Sequence, residues 1–122
     1  MEVVKEAYSA FAQKDVDGML NLVPDVVDWR VVGPPSLPYA TTCRTRKEVQ
    51  RYFEDLLAAE EITRFEPREF IHAGEHIVVV GFVAAVIKAT GKAFESERVH
   101  IFTVEGGRVS RWLEFFDTAA HG

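Results

Sequence analysis

Beyond residue 60 the sequence becomes a succession of β-rich runs, interrupted by the short glycine-containing stretches "AGEH", "ATGK" and "VEGGR". Such stretches are hairpin connections, because glycine supplies the positive φ that a tight turn between antiparallel strands requires. The pattern predicts strands over 64–73, 75–89, 93–105 and 108–117, joined as an antiparallel meander. Nothing else in the chain restricts the fold as strongly, since a sheet of that length must bury one face against other elements.

The other elements lie upstream. Val3, Val4, Ala7, Tyr8 and Phe11 recur at three- and four-residue spacing and predict a helix over 2–13. A shorter helix carries Met19, Leu20, Leu22 and Val23, with Asp15 or Asp17 as its cap and Pro24 as its stop. "DVVDWRVVG" reads as a strand, and the proline-rich "GPPSLPYATTC" after it as an irregular loop. "TRKEVQRYFEDLLAAEE" is the clearest helix: Thr45 and Glu48 form a capping box, and Val49, Tyr52, Phe53, Leu56 and Leu57 form its buried stripe. Helices first and a long antiparallel sheet last give an α+β fold, with three N-terminal helices on one face of the sheet.

The size, 122 residues, is that of one domain over 1–122, and 48% hydrophobic residues with nine Phe favour a packed interior. A net charge of −5 argues against a nucleic-acid partner, which wants a basic patch. The lone Cys43 has no internal disulfide partner, as suits a reducing cytoplasm, and the N-terminus lacks the basic flank and apolar run of a signal peptide. No stretch approaches the roughly 20 apolar residues of a membrane span, so the expectation is a cytoplasmic protein with no membrane partner. His72, His76, His100 and His121 show no metal-ligand spacing, so no metal is expected. "GGRVS" is a turn and not a phosphate loop.

The last strand, "RWLEFFDT", carries the chemistry. Alternation puts Trp112, Glu114 and Phe116 on one face, with Arg111, Leu113, Phe115 and Asp117 on the other. A carboxylate between two aromatics is either wet or held in an apolar pocket, where desolvation would raise its pKa toward neutrality. On the preceding strand, Arg98, His100, Phe102 and Val104 share a face, and His100 can donate a hydrogen bond or relay a proton.

Taken together, "YSAFAQKDVDGMLNLV", "DVVDWRVVG", "RKEVQRYFEDL" and "GGRVSRWLEFFDTA" resemble the NTF2-like superfamily over nearly the whole chain, in its SnoaL-like branch. That branch holds polyketide cyclases and lies near ketosteroid isomerase and limonene-epoxide hydrolase. The resemblance implies a cone built from a strongly curved sheet around a cavity, and often a homodimer through the outer face of the sheet, here Leu113 and Phe115. It also implies an acid near Glu114 doing proton chemistry, and it lays Tyr8 on the isomerase helix-1 tyrosine. His100 falls in phase with the isomerase oxyanion donor. The departures are informative. Arg30, with Asp28 one pleat away, stands near the isomerase's general base and cannot act as one. Gly81 and Val83 stand where the epoxide hydrolase carries Arg and Asp.

The resulting expectation is an apolar cavity lined by Trp29, Phe53, Phe82, Phe102, Trp112 and Phe116 that takes a small hydrophobic ligand. As an enzyme of isomerase, aldol cyclase or dehydratase type on a carbonyl-bearing substrate, the chain would need no cofactor. Glu114 would be the acid/base, His100 or Tyr8 would stabilise the enolate oxygen, and Arg98 or Arg30 would orient it. The alternatives are a non-catalytic ligand- or protein-binding module of the same shape, in which Glu114 is tied up by Arg98, and a plain dimer scaffold.

Overall fold

The structure, a computed structural model, describes residues 1–33 and 40–116. Helix α1 spans Glu2–Ala12 and α2 spans Val16–Leu20. Asp15 is the cap of α2: its Oδ1 accepts from the Gly18 N–H at 3.0 Å. Leu22 and Val23, expected inside that helix, fall in tight turns and donate to the Met19 and Leu20 carbonyls at 3.1 Å. Strand β1 (Val26–Val31) follows.

The expected loop is partly a strand. Residues 34–39 lie outside the described residues, but Thr41–Thr45 form β2, antiparallel to β1 with Trp29 opposite Cys43 and Val31 opposite Thr41. Prolines mask this in the sequence, although Thr41 and Thr42 are good strand formers. Helix α3 (Arg46–Ala59) then starts without a connection. Thr45 Oγ1 accepts from the Glu48 N–H at 3.2 Å, and the Glu48 carboxylate accepts from the Arg44 N–H at 2.7 Å, one residue before the usual box partner.

Strands β3 (Glu60–Ala73), β4 (His76–Ile87), β5 (Ala93–Glu105) and β6 (Arg108–Phe116) form the meander. Asp117, expected at the end of the last strand, and His121 lie outside the described residues. The β5–β6 turn has Gly106 at φ 59° and Gly107 at φ 75°, the two positive values that a tight turn matched to strand twist requires. The sheet order is β2-β1-β6-β5-β4-β3, and β1 runs parallel to β6. That parallel pairing joins residues more than 80 positions apart in the chain, such as Asp28 and Arg111. Local patterning does not encode it.

The sheet curves. Register shifts fall between Ile62 and Arg64, between Pro67 and Glu69, and between Thr103 and Val104, and each such bulge bends its strand. Pro67 is tolerated because β3 is an edge strand. Beside it the β3 backbone comes so near β4 that a Cβ on Gly81 would sit 2.6 Å from the Glu66 carbonyl oxygen. Val4 of α1 and Val49 and Phe53 of α3 share one core with Trp29, Val79, Phe102 and Trp112 of the sheet. Among the described residues, no helix is long and apolar enough to cross a membrane.

Candidate functional site

The β5–β6 ladder sets the site. Its register places Arg98 opposite Phe116, His100 opposite Glu114 and Phe102 opposite Trp112. Residues directly opposite on an antiparallel pair point to the same face. From β1, Trp29 stands beside Trp112, and the two indoles stack with centroids 4.4 Å apart. Helix α1 adds Tyr8 and Phe11, α3 adds Tyr52 and Phe53, and β3 adds Phe65; together they enclose a cavity of about 400 Å³.

A hydrogen-bonded chain runs along the cavity wall. The Tyr8 hydroxyl lies 2.7 Å from His100 Nδ1, and His100 Nε2 lies 2.6 Å from Glu114 Oε2. Arg98 Nη1 stands 3.1 Å from Glu114 Oε1, and Arg98 Nε donates to Ser96 Oγ at 3.0 Å. The Arg98 guanidinium also stacks on Phe116, 4.3 Å from the ring centroid. Arg98, His100 and Glu114 are 7–8% exposed, so these contacts form away from bulk water.

The electrostatics reverse the expectation for Glu114. Burial does push its carboxyl up, but the His100 hydrogen bond and charge, together with Arg98, outweigh it and hold Glu114 below the usual carboxylate range. An ionised carboxylate only accepts, so His100 Nε2 carries the hydrogen of that contact, and when the imidazole is neutral Nδ1 accepts from the Tyr8 hydroxyl. Tyr8 itself is raised, by burial first and by the Glu114 charge second, and stays a neutral phenol. Glu60, at the far end of α3, is raised by burial, with Arg98 opposing and Glu114 reinforcing the shift.

Of the residues expected at the cavity, Tyr8, Trp29, Phe53, Arg98, His100, Phe102, Trp112, Glu114 and Phe116 line it. Two do not, and both are corrections. Phe82 belongs to the half-exposed face of β4, opposite the buried one, and lies under the guanidinium groups of Arg64 and Arg68 at 5.1 and 4.9 Å. Arg30 points outward from β1 and pairs with Asp28 at 2.9 Å. Each errs by one position along a strand, which is enough to change faces.

Phe11, Phe65, Tyr52 and Glu60 were not expected there. Ile62 and Phe65 both reach the cavity although their spacing is odd, because the bulge between Ile62 and Arg64 resets the alternation. Two apolar residues at odd spacing amid charges, as in "EITRF", are the signal for such a bulge. Tyr52 appears in the sequence only as part of a buried stripe. Gly81 offers the cavity no side chain and Val83 an apolar one.

The model of the SnoaL-like domain family matches residues 4–112. The chain belongs to this family. Among solved structures, this SnoaL-like chain superposes with a TM-score of 0.86 on an NTF2-like protein of unknown function from Burkholderia pseudomallei, at 32% identity over 98% of this chain and 91% of that one. An NTF2-like protein from Burkholderia xenovorans gives the same score at 30% identity, over 98% and 89% of the two chains. A protein with a ketosteroid isomerase-like fold from Catenulispora acidiphila shares the fold alone, with a TM-score of 0.83 at 12% identity over 98% and 88% of the chains. No curated protein matches the SnoaL-like chain.

Among the described residues of the SnoaL-like chain, no three His, Cys, Asp or Glu side chains are grouped to hold a metal ion. What the arrangement supplies instead is a fixed carboxylate, an imidazole oriented by it, and a phenol delivering the far end of that chain to an apolar cavity. Groups so arranged are chemically able to pass a proton from one to the next.

Proposed function

We propose that this SnoaL-like protein is a cofactor-independent acid/base enzyme of isomerase, aldol cyclase or dehydratase type, acting on a hydrophobic carbonyl-bearing molecule. The observation that carries the reading is the Tyr8–His100–Glu114 chain in the wall of an aromatic cavity. Glu114 is the anionic partner that orients His100, and His100 is the group that takes up the proton. A proton leaves the carbon beside the substrate carbonyl for the Tyr8 oxygen while the Tyr8 proton passes to His100 Nδ1. The imidazolium so formed lies against the Glu114 carboxylate, and reversal of the relay returns a proton to carbon or to a leaving oxygen. Arg98 holds Glu114 in place and balances its charge. A homodimer through the outer sheet face, with Phe115 exposed, and a cytoplasmic location that suits the buried Cys43 thiol complete the proposal.

The Arg98–Glu114 ion pair favours a second reading, a non-catalytic ligand-binding module in which the buried charges are structural. Exchange of the methyl protons of 2-acetonaphthone for deuterium, followed by NMR in D₂O, separates the two. Acceleration by the native protein, lost in His100→Gln, supports the enzyme. Saturable binding with no acceleration supports the module.

A further inference from the structure

Two phenols reach the cavity, and they differ in how they are occupied. The Tyr8 hydroxyl is engaged by His100. Among the described residues the Tyr52 hydroxyl has no hydrogen-bond partner, and it is not among the polar atoms sealed from solvent without one, so it is a reachable donor on a residue that lines the cavity. Its ring is fixed between Phe53, with centroids 5.2 Å apart, and Trp112, 6.4 Å away. Trp112 also packs against His100, at 5.0 Å, so the free hydroxyl and the relay flank the same indole.

The charges of the same wall are unbalanced. Among the described lining residues Arg98 is the one Lys or Arg, and Glu114, Ser96 and Phe116 already engage it. Asp55 and Glu60 add two further carboxyl groups to the lining. Neither 34–39 nor 117–122 contains Lys or Arg.

We propose that Tyr52 is the ligand-recognising hydroxyl of this cavity, donating to a carbonyl-type oxygen, and that the lining selects ligands without negative charge. The proposal rests on the ligand-binding reading given above and deepens it by naming the ligand class. A free phenol on a rigid ring offers a donor at little entropic cost, and an oxygen acceptor on the ligand is the missing partner. Among the described lining residues an anionic ligand meets no Lys or Arg other than the engaged Arg98, and the carboxyl groups of Glu60 and Asp55 disfavour it. Burial and the Glu114 charge both raise the Tyr52 phenol, so it stays protonated as a donor at neutral pH.

The test is calorimetric titration of the full chain with 2-acetonaphthone, 2-ethylnaphthalene and 2-naphthoate, which share one apolar body. The ketone is expected to bind best and the carboxylate worst. Tyr52→Phe should weaken the ketone about tenfold, to the level of the hydrocarbon, and leave the hydrocarbon unchanged. Because the hydroxyl has no partner among the described residues, its loss should not lower the thermal midpoint. Glu60→Gln should strengthen the carboxylate relative to the ketone. Equal affinities for ketone and hydrocarbon in the native protein, or a Tyr52→Phe variant with native preference, would overturn the role of Tyr52. Tightest binding of 2-naphthoate would overturn the charge selection. Failure of all three to bind would overturn the ligand-cavity reading itself, and this inference with it.

Discussion

His100 Nε2 lies 2.6 Å from Glu114 Oε2 because the two residues are directly opposite on the β5–β6 ladder. The contact is therefore a product of backbone register and needs no flexible reach. It holds a carboxyl, which burial alone would push up, below its usual range, shared between an imidazole and a guanidinium.

Glu114→Gln removes that charge and leaves the buried Arg98 guanidinium facing an amide. A loss of about 3–5 kcal/mol is expected on urea unfolding, the range for breaking a buried ion pair from one side. The consequence goes beyond lost turnover, the one effect expected if Glu114 were a solitary acid. The pH dependence follows in sign. The folded-state pKa of Glu114 lies below its unfolded value, so its stabilisation is complete above about pH 4.3 and is lost as pH falls through the folded value. The gap in unfolding free energy between native protein and Glu114→Gln should shrink on acidification. A gap that stays constant to the acid limit would count against the ion-paired assignment.

Tyr8→Phe breaks the relay at the cavity end but keeps the ring, which packs edge-on against Phe70 and Phe102. The expected cost in stability is about 0.5–1.5 kcal/mol, that of one hydrogen bond. The deuterium exchange rate should fall by roughly 10²–10⁴ if Tyr8 carries the proton. Exchange at the native rate in this variant would remove Tyr8 from the mechanism and leave His100 acting directly.

Gly81 is needed for space. A Cβ at that position would meet the Glu66 carbonyl oxygen at 2.6 Å and Pro67 Cα at 3.3 Å, and backbone atoms cannot rotate aside. Gly81→Val should cost about 1–3 kcal/mol by forcing β3 away from β4, readable as a lower urea midpoint. A variant of native stability would mean that the bulge at Pro67 absorbs the displacement.

Phe115 is 41% exposed on the outer face of β6, whereas Leu113 on the same face is already 8% exposed within one chain. The proposed dimer contact thus depends on Phe115 more than on Leu113. Sedimentation should report a dimer for the native protein and a monomer for Phe115→Asp, with unchanged circular dichroism. A native protein that sediments as a monomer at tens of micromolar would refute the dimer.

The sequence by itself determined the helices, the strands of the meander and their order. The glycine turns and the apolar spacing of α1 and α3 are local signals, so α+β order and the four-strand meander were legible in it, and the strand pleat put Trp112, Glu114 and Phe116 on one face, whose inward direction the family resemblance implied. Tertiary structure alone decided the rest. The parallel pairing of β1 with β6 joins distant segments, and β2 forms in a proline-rich stretch because β1 offers it an edge. One position of phase along a strand sent Arg30 and Phe82 outward, while a bulge brought Phe65 in. The charge state of Glu114 was decided the same way: desolvation is a property of its own surroundings, but the sign of the shift belongs to His100 and Arg98, which the sheet register puts within reach.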